Sequence, residues 1–503
     1  MLRKIRIALA TVFFAGITLL FFDVTGSLHT WLGWMAKIQF LPAALALNFA
    51  VVAILALITL IFGRVYCSVI CPLGVMQDII SWIHGSTKKK NRYRFSYSPA
   101  KNWLRYGVLA LFIILLVAGV HSLVALVAPY SAYGRIASNL FAPLYQWANN
   151  FFAWIAERAD SYAFYSTDVW IKSIPTFVIA AVSFVVTGVL AWKNGRTWCN
   201  TICPVGTVLG FISRFSFFAP VINTEKCRKC GLCGRQCKSS CIDMEARKID
   251  YSRCVACMDC IEACKEGAIR YARRGTCQKS QNVTETSAKS QCKVDSGRRA
   301  FVTSAVIATT AAAAKAQEIK MDGGLAEIER AKKPQRQTPL VPAGSLSLKN
   351  FSNHCTACQL CVSNCPNGVL RPSTSLMTLM QPEISYERGY CRPECNTCST
   401  VCPAGAIRPI SIEEKSSIQI GHAVVNLDNC VVNTDGVSCG NCARHCPAGA
   451  IKLVRKNPDD KNSLRIPVVN EERCIGCGAC ENLCPARPFT AIHIEGHEVH
   501  RTI

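Results

Sequence analysis

The sequence predicts an α-helical membrane domain followed by small, cysteine-rich α+β domains. Half of the 503 residues are hydrophobic, and much of this apolar content lies in four unbroken runs. The chain also contains 31 cysteines, far above ordinary usage, and most of them recur in groups of four. These observations predict a protein that is part membrane domain and part soluble.

The four apolar runs are predicted membrane spans: Ile5 to Phe22, Leu41 to Phe62, Trp103 to Ala128, and Thr176 to Trp192. Each is close to the roughly 20 apolar residues that a helix needs to cross a bilayer. Residues 86 to 106 hold seven Lys or Arg and no acid, which predicts that this loop and the amino terminus face the cytoplasm. Buried core helices are the alternative reading of the runs.

The formal net charge is +24. The basic excess is concentrated in the amino terminus, in the 88 to 105 loop, and in the stretch before Arg298. Membrane topology and anionic lipid headgroups account for such a distribution. We therefore expect contact with membrane lipid and no nucleic-acid partner.

The membrane part contains an internal repeat. GRVYCSVICPLG begins at Gly63, after the second run, and GRTWCNTICPVG begins at Gly195, after the fourth. The repeat predicts two helical hairpins of one design, each ending in a cysteine pair. Together the pairs, Cys67 with Cys71 and Cys199 with Cys203, could supply four thiolates to a metal or redox centre. Ordinary buried thiols or a disulfide are the alternatives.

The next stretch contains one cysteine pattern twice. Both copies read Cys-x2-Cys-x2-Cys-x3-Cys: Cys227, Cys230, Cys233 and Cys237, then Cys254, Cys257, Cys260 and Cys264. This spacing is typical of a bacterial-ferredoxin-like α+β domain with two 4Fe-4S clusters, in which the fourth cysteine of each motif binds the other cluster. Cys237 is then expected with the second motif and Cys264 with the first. Zinc is the alternative, but zinc sites usually use two pairs of ligands.

Four further motifs follow, each ending in Cys-Pro. Motif one is Cys355, Cys358, Cys361 and Cys365; motif two is Cys391, Cys395, Cys398 and Cys402; motif three is Cys430, Cys439, Cys442 and Cys446; motif four is Cys474, Cys477, Cys480 and Cys484. The six motifs predict six 4Fe-4S clusters. Cys241, Cys277 and Cys292 are left over.

No other reactive motif accompanies the cysteines. The sequence has no dinucleotide-binding or phosphate-binding glycine loop, no His-Glu-x-x-His zinc helix, and no Cys-x-x-Cys-His haem attachment. The sequence therefore predicts electron transfer, with no catalytic residue assigned. His121, in the third run, is a candidate haem or quinone contact, although a merely tolerated histidine is the more ordinary interpretation.

Residues 296 to 316, SGRRAFVTSAVIATTAAAAKA, read as an export signal inside the chain. Arg298 and Arg299 precede fifteen uncharged residues and an Ala-Lys-Ala ending, which is typical of a twin-arginine signal. The same segment could be a short fifth span. A linker that leaves all six clusters in the cytoplasm is the third interpretation.

These features predict six regions in order. They are a four-span membrane domain (1–215), a two-cluster ferredoxin domain (216–275), a basic linker (276–297), the signal or fifth span (298–316), a linker (317–345), and a four-cluster ferredoxin domain (346–503).

The chain resembles two families, one in each half. Residues 1 to about 275 resemble the NapH-type membrane quinol dehydrogenase family in their paired Cys-x-x-x-Cys-Pro motifs followed by a two-cluster ferredoxin. Residues from about 297 resemble the NapG and MauM ferredoxin-type family in their twin arginines, TPLVPAGSLSLKNF and four motifs. The sequence departs from the pattern in the widened first gap of motif three, and in Lys238 and Lys265, which replace the usual proline.

The resemblance implies a fusion of two partner proteins, with the buried signal at the seam and the second half in the periplasm. It implies electron flow from membrane quinol, with a cytoplasmic ferredoxin as another donor, to a periplasmic reductase or cytochrome. It also implies that motif one pairs with motif four, which would bring Cys484 to Cys355, Cys358 and Cys361. The alternative function is a redox accessory or regulatory protein for metalloenzyme maturation.

Overall fold

The computed structural model describes residues 1–23, 26–87, 95–161, 163–274, 321–322, 326–327 and 331–503. The basic linker, the signal segment, Cys277, Cys292 and residues 88–94 of the basic loop lie outside these residues. The described chain consists of one helical domain and three small α+β units.

Twelve α-helices build the described part of the amino-terminal domain. They are α1 (Leu2–Leu20), α2 (Ser27–Leu32), α3 (Trp34–Lys37), α4 (Phe40–Leu45), α5 (Phe49–Phe62), α6 (Pro72–Thr87), α7 (Asn102–Val117), α8 (His121–Val127), α9 (Pro129–Ile136), α10 (Ala142–Arg158), α11 (Ile174–Asn194) and α12 (Pro204–Ser213). Three π-helical turns interrupt them, at Tyr66–Ile70, Ala137–Phe141 and Trp198–Ile202.

Two of the four predicted spans are broken in the structure. The second run divides into α4 and α5, because Leu47 has a φ of 54° and the Asn48 side chain caps α5 by accepting from the Val51 amide. The third run divides into α7 and α8 at Gly119, which has a φ of 77°. Within the described residues, only α11, with 21 residues, is long and apolar enough to cross a membrane by itself.

Large apolar side chains cover much of the outer surface of this domain. On α11, Val178, Val182, Val186 and Val189 are all exposed and recur every three or four residues, which places them on one face. Exposed apolar residues also cover α1, α5, α7 and α10. An apolar surface of this extent is typical of a membrane or protein contact rather than of a water-facing domain.

Two of the α+β units share one plan. In unit I (218–274), β1 (Phe218–Ile222) pairs antiparallel with β4 (Ile269–Arg273), and β2 (Ile242–Asp243) with β3 (Lys248–Ile249) forms an inner hairpin. In unit III (418–502), β9 (Ile418–Val425) pairs with β12 (Ile492–Thr502), and β10 (Ile451–Arg455) with β11 (Arg465–Val469). In each unit, one cysteine motif precedes the hairpin and the second follows it.

Unit II (340–410) has the same inner hairpin, β7 (Leu370–Pro372) with β8 (Pro382–Ile384), between motifs one and two. A short pair, β5 (Met321–Asp322) with β6 (Ala326–Glu327), precedes it. The remaining helices are short: Leu232–Gln236 and Asp259–Ala263 in unit I; Leu348–His354, Leu360–Ser363 and Thr397–Val401 in unit II; Ile412–Ser417 between units II and III; and Val431–Thr434, Asn441–Arg444 and Ala479–Asn482 in unit III.

Units I and II contact opposite ends of α1. Near its amino end, Arg3 Nε lies 2.8 Å from the Asp259 carboxylate of unit I. At its carboxyl end, the Leu20 carbonyl accepts a 3.0 Å hydrogen bond from Asn364 of unit II. A helix of 19 residues is about 28 Å long, so the helical domain separates the two units by roughly that distance.

Candidate iron–sulfur and paired-cysteine sites

The two cysteine pairs of the internal repeat meet in the core of the helical domain. Cys67 and Cys199 lie inside π-helical turns, whereas Cys71 and Cys203 follow these turns in extended conformation, directly before the prolines that begin α6 and α12. Each of the four is 4% exposed. The four thiols lie close enough for their charges to interact with one another, so the repeat does bring them together.

Two buried arginines cross between the repeats at this site. The Arg196 guanidinium donates to the Cys67 carbonyl at 2.7 Å, and the Arg64 guanidinium donates to the Cys199 carbonyl at 3.1 Å. Arg64 also lies 3.6 Å from the Cys67 sulfur, and Arg196 lies 3.9 Å from the Cys199 sulfur. Both arginines are 0% exposed. Their positive charges favour thiolates, which are the metal-binding form of cysteine.

Glycine is required where each arginine passes. A Cβ at Gly74 would lie 2.3 Å from the Cys67 carbonyl oxygen and 2.6 Å from Arg196 Nη1. At Gly206, the corresponding glycine of the second repeat, a Cβ would lie 2.2 Å from the Cys199 carbonyl oxygen. The final glycine of each repeat therefore makes room for the crossing arginine of the other.

The site is not fully symmetric. Asp78 forms two hydrogen bonds with Arg196, at 2.9 and 2.8 Å, but its counterpart in the second repeat is Gly210. Arg64 instead donates to the amide oxygen of Asn200 at 2.9 Å. Gln77 adds a donor 3.4 Å from the Cys199 sulfur. Cys199 therefore has more polar contacts than its partners.

Among the described residues, no three Cys, His, Asp or Glu side chains are spaced to hold a single metal ion. A 4Fe-4S cluster separates its ligand sulfurs more widely than one ion does, since each sulfur binds a different iron. The donor set of soft thiolates suits iron–sulfur chemistry.

A small cavity in unit III brings such a set of thiols together. It is lined by Cys474, Cys477 and Cys480 of motif four together with Cys446 of motif three, and Ile475, Gly478 and Ile494 complete its apolar wall. Three cysteines of one motif and the last cysteine of its neighbour are the ligand set of one cluster in a two-cluster ferredoxin.

Four of the other five sets are grouped in the same way, whereas the position of Cys264 beside the first motif stays a prediction. Cys237 of unit I lies beside Cys257 and Cys260 of the second motif, within electrostatic reach of both thiols. In unit II, Cys402 lies beside Cys355, Cys358 and Cys361, and Cys365 lies beside Cys391 and Cys398. In unit III, Cys484 joins Cys430, Cys439 and Cys442.

The structure contradicts the pairing of motif one with motif four that the resemblance implied. Motif one pairs with motif two, and motif three with motif four, because a short hairpin connects the members of each pair and folds them together. The two pairs still touch. The Cys391 amide of motif two donates to the Cys477 carbonyl of motif four at 2.9 Å, so unit II and unit III are in direct contact at their cysteine loops.

Backbone amides stabilise several of these sulfurs. The amides of Ala268, Ala450 and Ala491 donate to the sulfurs of Cys264, Cys446 and Cys484 at 3.3 to 3.4 Å. Each recipient is the fourth cysteine of its motif. Hydrogen bonds to ligand sulfurs are one of the means by which a protein sets the potential of a cluster.

Cys241, which belongs to none of the six motifs, lies next to a motif cysteine. Its side chain is buried, and its sulfur lies 3.5 Å from that of Cys237. Its hydrogen bond is the largest of the effects that lower the pKa of Cys237 to about 7. The one available signal was its position four residues after Cys237, with both thiols in one short loop.

The two departures at Lys238 and Lys265 differ in role. Lys238 Nζ lies 3.0 Å from Asp259 and 3.6 Å from Asp78, and its carbonyl accepts from the Arg196 amide at 2.9 Å. It thus joins unit I to the paired-cysteine site. Lys265 is exposed.

His121 and Tyr130 lie where the helical domain meets motif one. Tyr130 is 2% exposed, lies within electrostatic reach of Cys358 and Cys402, and its hydroxyl has no hydrogen-bond partner among the described residues. A Cβ at Gly134, on the same helix, would lie 2.3 Å from the Cys358 carbonyl oxygen. His121 is buried near His354, and its role as a haem or quinone contact stays a prediction.

Sequence comparisons match both kinds of site. A model of 4Fe-4S binding domains matches residues 44–91 and 174–221, the two repeats that carry the cysteine pairs. A second 4Fe-4S binding domain matches residues 247–270, and a 4Fe-4S dicluster domain matches residues 437–487, across motifs three and four. No solved structure matches.

Three relatives resemble different lengths of the chain. The ferredoxin-type protein NapH of Haemophilus influenzae is 26% identical over 244 residues, which are 46% of this chain and 70% of NapH. The methylamine utilization ferredoxin-type protein MauM of Methylobacillus flagellatus is 30% identical over 29% of this chain and 64% of MauM. The ferredoxin-type protein NapG of Escherichia coli is 31% identical over 33% of this chain and 77% of NapG.

Other relatives are spanned less completely: the chain covers 33% of an uncharacterised protein of Methanocaldococcus jannaschii and 55% of an electron transport protein, YccM, of Escherichia coli. The 4Fe-4S domain matches confirm the prediction of iron–sulfur binding. On the extent and identity of the NapG match, the chain belongs to the family of ferredoxin-type proteins that includes NapG, and it is an iron–sulfur electron-transfer protein.

Proposed function

We propose that the chain carries electrons across a membrane, from quinol in the bilayer or from a cytoplasmic ferredoxin to a periplasmic reductase or cytochrome. It would unite a NapH-type part and a NapG-type part in one polypeptide, with the twin-arginine segment at their junction. Six 4Fe-4S clusters, held by the six cysteine motifs, would supply the one-electron carriers. The chain's own residues hold these groups, fix their order and separate them by the helical domain.

The single observation that carries the proposal is the attachment of units I and II to opposite ends of α1. Arg3 and Arg6 bind Asp259 of unit I, whereas the Leu20 carbonyl binds unit II. The separation of about 28 Å approaches the roughly 30 Å of a bilayer's hydrocarbon core. Units on opposite faces of a membrane would be attached in this manner.

The apolar surface supports the same arrangement. α11 is long enough to cross the bilayer, and α1, α5 and α7 would complete a four-span domain in which shorter helices are accommodated by local thinning or by snorkelling of flanking basic residues. The amino terminus and unit I would lie on the cytoplasmic side, as the basic loop indicates. Units II and III would lie in the periplasm.

The paired-cysteine site would hold an additional redox centre inside the helical domain. Arg64 and Arg196 supply positive charge next to the thiols, and Gly74 and Gly206 let them approach. The site contacts unit I through the hydrogen bond from Arg64 to the Ser252 carbonyl at 3.2 Å. On the other side, α6 packs against α9, which carries Tyr130 and Gly134 to motif one. The site therefore lies between a cysteine loop of unit I and the cysteine loop of motif one.

A topology reporter tests this proposal. We expect β-lactamase fused after Ile503 to confer ampicillin resistance, because that enzyme protects the cell only from the periplasm, and we expect replacement of Arg298 and Arg299 by lysine to abolish its activity. A fusion after Arg274, at the end of unit I, is the control and should be inactive. An inactive reporter after Ile503, in protein that is full-length by immunoblot, would place all six motifs in the cytoplasm and contradict the proposal.

A further inference from the structure

Lys415 is a buried cation in contact with a cysteine of motif two. It lies in the helix Ile412–Ser417, whose start is fixed by a capping box between Ser411 and Glu414. Its residue exposure is 8%. The ammonium lies 3.2 Å from the Cys391 sulfur and also donates to the carbonyls of Arg392, at 2.5 Å, and of Cys395. Its three donors are therefore all directed into the motif-two loop.

No carboxylate neutralises this charge. Among the described residues, no Asp or Glu oxygen lies within 4.0 Å of the Lys415 ammonium. The nearest acid of its own helix turn, Glu414, instead accepts from the Ser411 amide as part of the capping box. The charge of Lys415 thus acts on the cysteine loop with little cancellation.

A second lysine, from the helical domain, lies between this cysteine set and the neighbouring set that includes Cys361. Lys172, just before α11, donates to the Val362 carbonyl at 2.7 Å and lies within electrostatic reach of Cys361 and Cys365. Cys365 is the residue that joins Cys391 and Cys398 across the motif boundary. One lysine from each half of the chain therefore flanks this set.

The neighbouring set in unit III has the opposite surroundings. Glu471 lies within electrostatic reach of Cys474, and Glu481 lies within reach of Cys480. Arg336 pairs with Glu481 at 2.5 Å and removes part of that negative charge. Motif two thus faces cations, whereas motif four, in direct contact with it through Cys391 and Cys477, faces acids.

A cluster becomes more negative when it is reduced, so a nearby positive charge stabilises the reduced state and raises the reduction potential. A hydrogen bond from an ammonium to a ligand sulfur acts in the same direction and is stronger than one from a neutral donor. These effects are large in a buried site, where solvent screens charge poorly.

We propose that Lys415, assisted by Lys172, raises the potential of the cluster bound by Cys391, Cys395, Cys398 and Cys365 above that of the neighbouring cluster of motif four. The inference rests on the proposed function, since it requires that these cysteines bind a cluster. Lys415 acts here as a positioning and electrostatic residue, through Cys391, and has no substrate of its own. Its place is the boundary between units II and III, where it would make this centre the first of these two to be reduced.

The test is a redox titration of the anaerobically purified full chain, followed by electron paramagnetic resonance, with iron and sulfide measured in each sample. In Lys415→Met, we expect the midpoint potential of one centre to shift downwards and the others to stay unchanged. Lys415→Arg, which keeps the charge, should recover most of the wild-type potential. Lys349→Met removes an exposed lysine of unit II and is the matched control, with no expected shift.

Lys172→Met is a second test if Lys415→Met fails to load its cluster, because it should lower the potential of the same centre and also that of the neighbouring cluster that includes Cys361. Unchanged potentials in a fully loaded Lys415→Met protein would overturn the inference and leave the proposed function intact. Wild-type protein without clusters would instead contradict the proposed function itself.

Discussion

At the scale of single residues, the paired-cysteine site depends on two glycines as much as on its cysteines and arginines. Gly74 and Gly206 have no Cβ where Arg196 and Arg64 cross between the repeats. The arginines could not approach the cysteine carbonyls if these positions carried a larger residue. The repeated Arg and the final Gly of the two motifs therefore have one shared physical cause.

Replacing Gly74 by alanine should damage this site. The new Cβ would lie 2.3 Å from the Cys67 carbonyl oxygen, so Arg196 or the π-helical turn must move. We expect a loss of about 1–3 kcal/mol in stability, as for overpacking elsewhere, and a lower thermal unfolding temperature. Gly85→Ala is the matched control, because Gly85 lies on the same helix with nothing within 4 Å of its Cβ position. Equal effects of the two substitutions would contradict the crossing geometry.

At the scale of elements, one carboxylate joins three parts of the fold. Asp78 on α6 binds Arg196 of the second repeat, Arg6 of α1 at 2.9 Å, and Lys238 of unit I at 3.6 Å. Glu262 belongs to the same network but lies at its edge, 55% exposed, and pairs only with Arg3. The network therefore has a buried centre and a solvated rim.

Asp78→Asn should consequently cost much more than Glu262→Gln. Removal of the Asp78 charge leaves the fully buried Arg196 without a counter-ion, for which we expect a loss of about 3–5 kcal/mol. Glu262→Gln removes a solvent-screened pair, and its cost should be below about 1 kcal/mol. Thermal unfolding of both variants, with limited trypsin digestion to detect release of unit I, measures the difference. Similar small losses would show that the network does not hold unit I in place.

The elements also explain what the sequence could and could not predict. Cysteine spacing predicts a set of three ligands and a crossing fourth, because that geometry is local. It does not predict which neighbour supplies the fourth ligand, since the spacing within a motif does not depend on its partner; the hairpins β7–β8 and β10–β11 decide this in the structure. The structure therefore corrects the pairing of motif one with motif four that the resemblance implied.

For the apolar runs, too, the sequence predicts some features of the structure and not others. Their composition predicts apolar helices, and α1, α5, α7 and α11 are formed, but the breaks at Asn48 and Gly119 depend on a side-chain cap and a positive φ. The repeat predicts that Cys67, Cys71, Cys199 and Cys203 belong together. It does not reveal that Arg64 and Arg196 cross, because that contact depends on the packing of two hairpins. Cys241 was missed because it has no counterpart in the second motif of unit I.

At the scale of the whole molecule, the described chain consists of three cysteine-rich units and a helical domain that contains a further cysteine group. Unit I contacts the paired-cysteine site through Arg64 and Lys238, unit II contacts the helical domain through α9, and unit III contacts unit II through Cys391 and Cys477. The cysteine groups thus form a continuous series from one end of α1 to unit III.

Iron and sulfide analysis of the full chain, purified without oxygen, tests this account most directly. Six 4Fe-4S clusters require about 24 iron and about 24 sulfide per chain, and we expect at least these amounts, with the Mössbauer signature of 4Fe-4S centres. Stoichiometric zinc, or iron and sulfide far below these amounts in folded protein, would contradict the assignment of the six motifs and with it the series of electron carriers.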